Sequence, residues 1–167
     1  MPDSIGLRRV AAAALVAALA ACASTQQPNG VDRLARTYLD AGRYDDAVRE
    51  SERLVRIQPR DVDLRLLAAR ANEGAGDLPR ALTHLEMAEE IAPENGEAAI
   101  LIGELEQKRS RPDDAYVAFR RATALSPDDL RAWRGLALTA EALGFDAEAE
   151  RAYARWAQIE KSEGGTP

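Results

Sequence analysis

Few side chains in this chain are equipped for chemistry. Its 167 residues include one cysteine, Cys22, and one histidine, His84. One of each cannot furnish a histidine–cysteine zinc site, and a lone cysteine forms no intramolecular disulfide. The remaining acid–base groups are carboxylates, which occur in adjacent pairs: Asp45-Asp46, Glu89-Glu90, Asp113-Asp114 and Asp128-Asp129. Such pairs do acid–base work only in a desolvated pocket, whereas these fall near expected helix starts or on outer helical faces, where capping, dipole and solvation account for them. Gly74 and Gly76 belong to an inter-helix turn and do not make a phosphate-cradling loop. His84 has neither a nucleophile nor a cysteine cluster beside it, and it is expected on the surface. No catalytic residue, metal site or cofactor is expected. The net charge of −6 lacks the basic footprint of nucleic-acid binding.

The elements that position these groups fall into two parts. Arg8 and Arg9 precede an unbroken apolar run of 14 residues from Val10 to Ala23, followed by polar residues 24–30. A bilayer span needs about 20 residues, so this layout is that of an export signal. Leu19-Ala20-Ala21-Cys22 resembles the lipobox of bacterial lipoproteins. The resemblance implies cleavage after residue 21, lipidation of Cys22, and a flexible tether over residues 22–30. Ala23 follows the cysteine where a retention signal would place aspartate, which implies the periplasmic face of the outer membrane in a diderm host. Removing the leader, with Asp3, Arg8 and Arg9, takes the net charge from −6 to −7.

The second part repeats every 34 residues. Pro59, Pro93 and Pro127 keep that interval, as do Ala47, Ala81, Ala115 and Ala149. Ala35, Ala69, Gly103 and Ala137 form another in-phase set, and Gly42, Gly76, Ser110 and Gly144 another. Of 34 alanines, nine lie between positions 11 and 23, and many of the rest fall on this period. The spacing and residue types resemble the tetratricopeptide repeat, a pair of antiparallel helices with small residues at positions 8 and 20, a turn residue near 15 and proline at 32. The implied fold is all-α, a right-handed solenoid of four helix pairs over residues 31–161, with units at 28–61, 62–95, 96–129 and 130–163 and a disordered tail over 162–167. Asp61, Asn95 and Asp129, each two residues after a proline, are expected N-caps. Pro79 and Pro112 suit the first turn of a second helix. Position 4, commonly a large residue, holds Val31, Arg65, Ala99 and Trp133, a departure from the pattern.

The resemblance also implies where partners bind. Position-by-position transfer places Arg36, Leu39, Leu66, Arg70, Ile100, Glu104, Arg134 and Leu138 along a concave groove. Leu39, Leu66, Ile100 and Leu138 are expected to form an apolar stripe suited to an extended or helical peptide of a partner protein. The Lys and Asn clamp of chaperone-binding members is replaced by Asp32 and Arg36, so capture of chaperone tails is not expected. Tyr153 and Trp156 are read as a lid over the last unit, or as a contact with a partner or second copy. The whole implies a non-enzymatic, lipid-anchored interaction scaffold, resembling the assembly lipoproteins of tight-adherence (Flp) pili and pilotins. An adaptor for cell-wall enzymes or outer-membrane biogenesis is the alternative, and a periplasmic hydrolase or sugar-binding protein ranks last.

Overall fold

A computed structural model describes residues 30–163 of the chain. The leader, Cys22 and residues 164–167 lie outside them. Eight helices follow in order among the described residues: α1 (Arg33–Asp40), α2 (Tyr44–Ile57), α3 (Val62–Gly74), α4 (Leu78–Ile91), α5 (Gly96–Lys108), α6 (Pro112–Leu125), α7 (Leu130–Ala142) and α8 (Asp146–Glu163). Each packs on its sequence neighbours, and the odd-numbered helices also touch one another, α1 with α3 and α5 with α7. This is an α-solenoid of four helix pairs.

The punctuation of the sequence explains the helix boundaries. Asp61, Asn95 and Asp129 accept backbone hydrogen bonds from Leu64 (3.1 Å), Glu97 (3.0 Å) and Arg131 (2.8 Å), which starts α3, α5 and α7. Pro112 opens α6, and Pro79 is the second residue of α4, where a missing N–H costs nothing. Each turn within a pair closes on a left-handed residue: Gly42, Gly76 and Gly144 have φ of 67°, 84° and 76°, and Ser110 has 58°. At each turn the following N–H donates back to a carbonyl five residues earlier, for example Arg43 to Tyr38 (2.8 Å) and Arg111 to Glu106 (2.9 Å). The helix therefore ends with its last carbonyls satisfied.

Alanines set the distance within a pair. Ala35, Ala47, Ala69, Ala81, Ala115 and Ala137 are all at most 2% exposed. In the third pair Gly103 replaces alanine, because a Cβ there would sit 2.8 Å from the ring of buried Phe119.

Two expectations need correction. The first two residues of the tail drawn over 162–167 are helical, since Ser162 and Glu163 continue α8 without a proline to stop it, and the rest of that tail lies outside the described residues. His84 is not on the surface but buried at 5% exposure. Its Nε2 lies 2.9 Å from Glu52 of α2, and its Nδ1 lies 3.4 Å from Arg65 of α3. The register contains the signal, for Ala118 and Ala152 hold the same place in later units and are also buried.

The departure at position 4 is resolved by hydrogen bonding. Trp133 donates its indole N–H to the carbonyl of Pro127 (2.8 Å), six residues back. Arg65 makes the equivalent contact, donating from Nε (3.0 Å) and Nη2 (2.9 Å) to the carbonyl of Pro59. A long side chain with an N–H at the right reach serves in either form.

Candidate functional site

The first helix of each pair carries the inner face. Two register positions behave differently there. Position 9, held by Arg36, Arg70, Glu104 and Leu138, is exposed or half-exposed in every unit. Position 5, held by Asp32, Leu66, Ile100 and Arg134, is buried in the first three units and exposed only in the last.

The apolar stripe is therefore not continuous. Leu66 is 7% exposed, in a core cluster with Leu101 and Ala98 of the next unit, and Ile100 is 0% exposed, in a cluster with Ala122 and Ala132. These two residues join neighbouring units and cannot reach a ligand. Leu39 is half-buried against Ala35 and Leu54. Leu138 alone of the four stands out, at 43% exposure. Arg134 is exposed, with no further helix pair over it among the described residues.

Most polar residues along the groove are already paired. Glu97 bridges Arg70 of α3 and Arg131 of α7, the latter with an Nη1–Oε1 distance of 3.1 Å. The same partnership raises the Arg131 pKa. Lys108 pairs with Glu73, and Arg36 with Asp32 at 2.6 Å. The Glu97 and Lys108 pairs link neighbouring units, whereas Arg36–Asp32 lies at the start of α1, and together they occupy both position-9 arginines of the first two units.

The last two units differ. Between α5, α7 and α8 lies an open cleft of about 720 Å³, with Glu104, Lys108, Arg134, Leu138, Trp156 and Glu160 around it. Phe119 and Gly135 also line it; a Cβ on Gly135 would meet the Phe119 ring at 2.3 Å, so the glycine lets α7 settle onto that ring. Glu104 makes no ion pair among the described residues, and burial pushes its carboxyl above the ordinary value against the pull of Arg131. Arg134 likewise has no ion pair there. Trp156 is half-buried and its ring centroid lies 6.2 Å from that of Tyr153, whose hydroxyl donates to Glu141 (2.6 Å). Trp156 thus forms one wall of the cleft, with Tyr153 beside it.

Sequence reasoning missed Phe119, Gly135 and Glu160 as cleft residues. A signal existed for Gly135, because the same position holds leucine in the two preceding units, Leu67 and Leu101. The carboxylate pairs do not converge: Asp45-Asp46 and Asp113-Asp114 occupy first turns of α2 and α6, and Asp128 pairs with Arg155. Among the described residues no group of three His, Cys, Asp or Glu side chains could hold a metal ion, and no helix is long and apolar enough to cross a membrane.

A family model described as tetratricopeptide repeat matches residues 33–96 and 100–164. The chain belongs to the tetratricopeptide repeat family. It is accordingly a repeat scaffold for protein–protein interaction, built as the right-handed solenoid of that family. No curated protein matches it. Among solved structures it is similar to "Crystal structure of MamA", with TM-score 0.75 and 21% identity over 84% of each chain. It is also similar to "MamA 41-end from Desulfovibrio magneticus RS-1", with TM-score 0.72 and 16% identity, covering 84% of this chain and 80% of that one. A third is "First TPR of Spaghetti (RPAP3) bound to HSP90 peptide SRMEEVD", with TM-score 0.66 and 18% identity over 72% of this chain and 96% of that one. At these identities the likeness concerns the fold.

Proposed function

We infer that this tetratricopeptide repeat protein is a lipid-anchored scaffold that holds a segment of a partner protein in the cleft between its third and fourth units. The observation that carries this reading is the contrast along the inner face. Position 9 is paired in the first two units, whereas Leu138 and Trp156 border open space beside Arg134 and Glu104, which make no ion pair among the described residues. An apolar surface beside unpaired charge of both signs suits a peptide with mixed side chains. The structure of another repeat domain with a bound HSP90 peptide supports a protein segment as the ligand class.

The anchor and the location rest on residues outside the described ones. Leu19-Ala20-Ala21-Cys22 supports lipidation at Cys22 and, with Ala23, the periplasmic face of the outer membrane. A scaffold there serves the assembly of an envelope machine such as a pilus or secretion system.

Two experiments test the reading. Palmitate labelling should mark the parent and not Cys22→Ser; labelling of both, or of neither, contradicts the anchor. Crosslinked pull-down from envelope extracts should lose specific partners in a Leu138→Glu, Trp156→Ala variant that keeps its helical circular dichroism. Retention of every partner by that folded variant contradicts the cleft as the binding site.

A further inference from the structure

The first unit lacks the beginning that the other three possess. Units two, three and four each follow a Pro-x-Asp or Pro-x-Asn sequence, and their first helices start at Val62, Gly96 and Leu130, a strict 34-residue register. The places 34 residues before Pro59 and Asp61 hold Thr25 and Gln27, so neither the stop nor the cap is present. α1 begins only at Arg33, five residues late in that register, and Asp32 makes no capping bond because its carboxylate is engaged by Arg36.

This late start leaves apolar side chains uncovered. Leu34 is 48% exposed, whereas its equivalents Ala68, Ile102 and Leu136 are 0%, 9% and 3% exposed beneath the preceding unit. Ile57 at the end of α2 is 61% exposed, whereas Ile159 in the same register is 4% exposed. In the third unit the equivalent residue, Leu125, packs beside the first turn of α5, and that turn has no counterpart in α1. Val31 adds a third exposed side chain, at 42%. The tight turn between α1 and α2 makes the two helices antiparallel, so Val31, Leu34 and Ile57 share one end of the hairpin.

Three unpaired arginines accompany them. Arg33 and Arg56 flank the apolar residues in sequence, and Arg60 follows closely; all three are exposed and make no ion pair among the described residues. Residues 31–61 balance seven arginines against seven carboxylates, while residues 62–95 set three arginines against seven carboxylates. The first unit is thus net neutral where each unit after it is net acidic, and its three unpaired arginines lie at its uncovered end.

The other end of the solenoid does not fit this one. Stacking a second copy in register would place its α1 against α8, where Trp156 stands at the place that Ala88 and Ala122 hold, buried, in the two preceding units. The covalent distance points instead to the membrane. Eight residues separate Cys22 from Val31, a reach of at most about 30 Å when fully extended.

We propose that the N-terminal end of the first unit docks on the bilayer surface, with Val31, Leu34 and Ile57 entering the interface and Arg33, Arg56 and Arg60 meeting anionic headgroups. The inference rests on lipidation of Cys22. Anchor and face then act as two linked weak contacts, each raising the effective concentration of the other. The arrangement turns the cleft of the last two units away from the membrane, toward a partner.

The test uses full-length lipidated protein in vesicles of phosphatidylethanolamine and phosphatidylglycerol. Lipidated Cys22 offers no thiol, so an environment-sensitive fluorophore can be placed on Leu34→Cys or Ile57→Cys alone, with exposed Val117→Cys on α6 as the control. Labels at 34 and 57 should shift to the blue and be quenched by a lipid-borne quencher, and the label at 117 should do neither. Changing Arg33, Arg56 and Arg60 together to Ser should at least halve that quenching, as should vesicles without anionic lipid. Protein that floats with the vesicles while labels at 34 and 57 stay as aqueous as that at 117 overturns the docking and leaves the anchor standing. Protein that neither floats nor has Cys22 blocked to thiol reagents overturns both. Protection without lipid quenching, rising with protein concentration, assigns the face to a second copy and overturns the proposal.

Discussion

The two ends of this solenoid meet the same physical problem in opposite ways. A stacked repeat buries its faces only against neighbours, so the first and last units each leave one uncovered. At the C-terminal end, Tyr153 and Trp156 replace residues that are small or fully buried in earlier units, Tyr153 is tied to Glu141, and Trp156 fills space beside Leu138. At the N-terminal end nothing comparable occurs among the described residues: α1 is short, Asp32 does not cap it, and Leu34 and Ile57 face outward. The lesson is that the residues at an end can cover it or leave it bare, and the exposures of the two ends differ accordingly.

Predictions follow from breaking this asymmetry. The largest effect belongs to the residues that join units. Ile100→Glu should cost about 4 kcal/mol or more, because it places an unpaired carboxylate in a fully buried site, and urea denaturation should show a fold that is largely lost. Leu138→Glu, in the same groove but exposed, should stay within about 0.5 kcal/mol of the parent. Next is the base of the C-terminal cleft. Gly135→Val should cost about 1–3 kcal/mol by overpacking against Phe119, read as a lower denaturation midpoint.

Smaller is the turn of the third unit. Ser110→Gly relieves a left-handed serine, worth about 1–2 kcal/mol, against about 0.4–1 kcal/mol of added freedom in the unfolded chain. The net should be a stabilisation of up to about 1.5 kcal/mol, seen as a slightly higher melting temperature. Smallest is the response of Glu104. Its carboxyl is raised above the ordinary value of 4.5, chiefly by burial, so the folded protein holds the proton more tightly than the unfolded chain. Its ionised form therefore lowers stability at neutral pH, and that loss fades as pH falls through the raised value toward the ordinary one. Glu104→Gln should be more stable than the parent at neutral pH, with the difference vanishing below about pH 4 in parallel denaturation curves.

Much of the fold was legible because its punctuation is local. A proline, a cap two residues later and a turn residue at fixed phase set each helix start and stop without reference to distant contacts, as Asp61, Asn95 and Asp129 show. The candidate site was less legible, because it depends on how units overlap. Leu66 and Leu138 look alike in sequence, yet Leu66 lies under the next unit and Leu138 opens to the cleft. His84 was misplaced for the same reason: its partners, Glu52 and Arg65, belong to different helices. Arg65 itself, a departure by residue type, proved equivalent to Trp133 by hydrogen-bond geometry. The chemistry of an inner face is set by pairing across units, as Glu97 does with Arg70 and Arg131, and composition does not record such pairing.

The central claim is that the protein holds its partner at one end and faces the membrane with the other. Photo-crosslinking in living cells, with the reactive group at position 138 or at position 34, tests it most directly. The account predicts discrete protein adducts from position 138 and lipid adducts alone from position 34. Protein adducts from position 34 together with none from position 138 would contradict it.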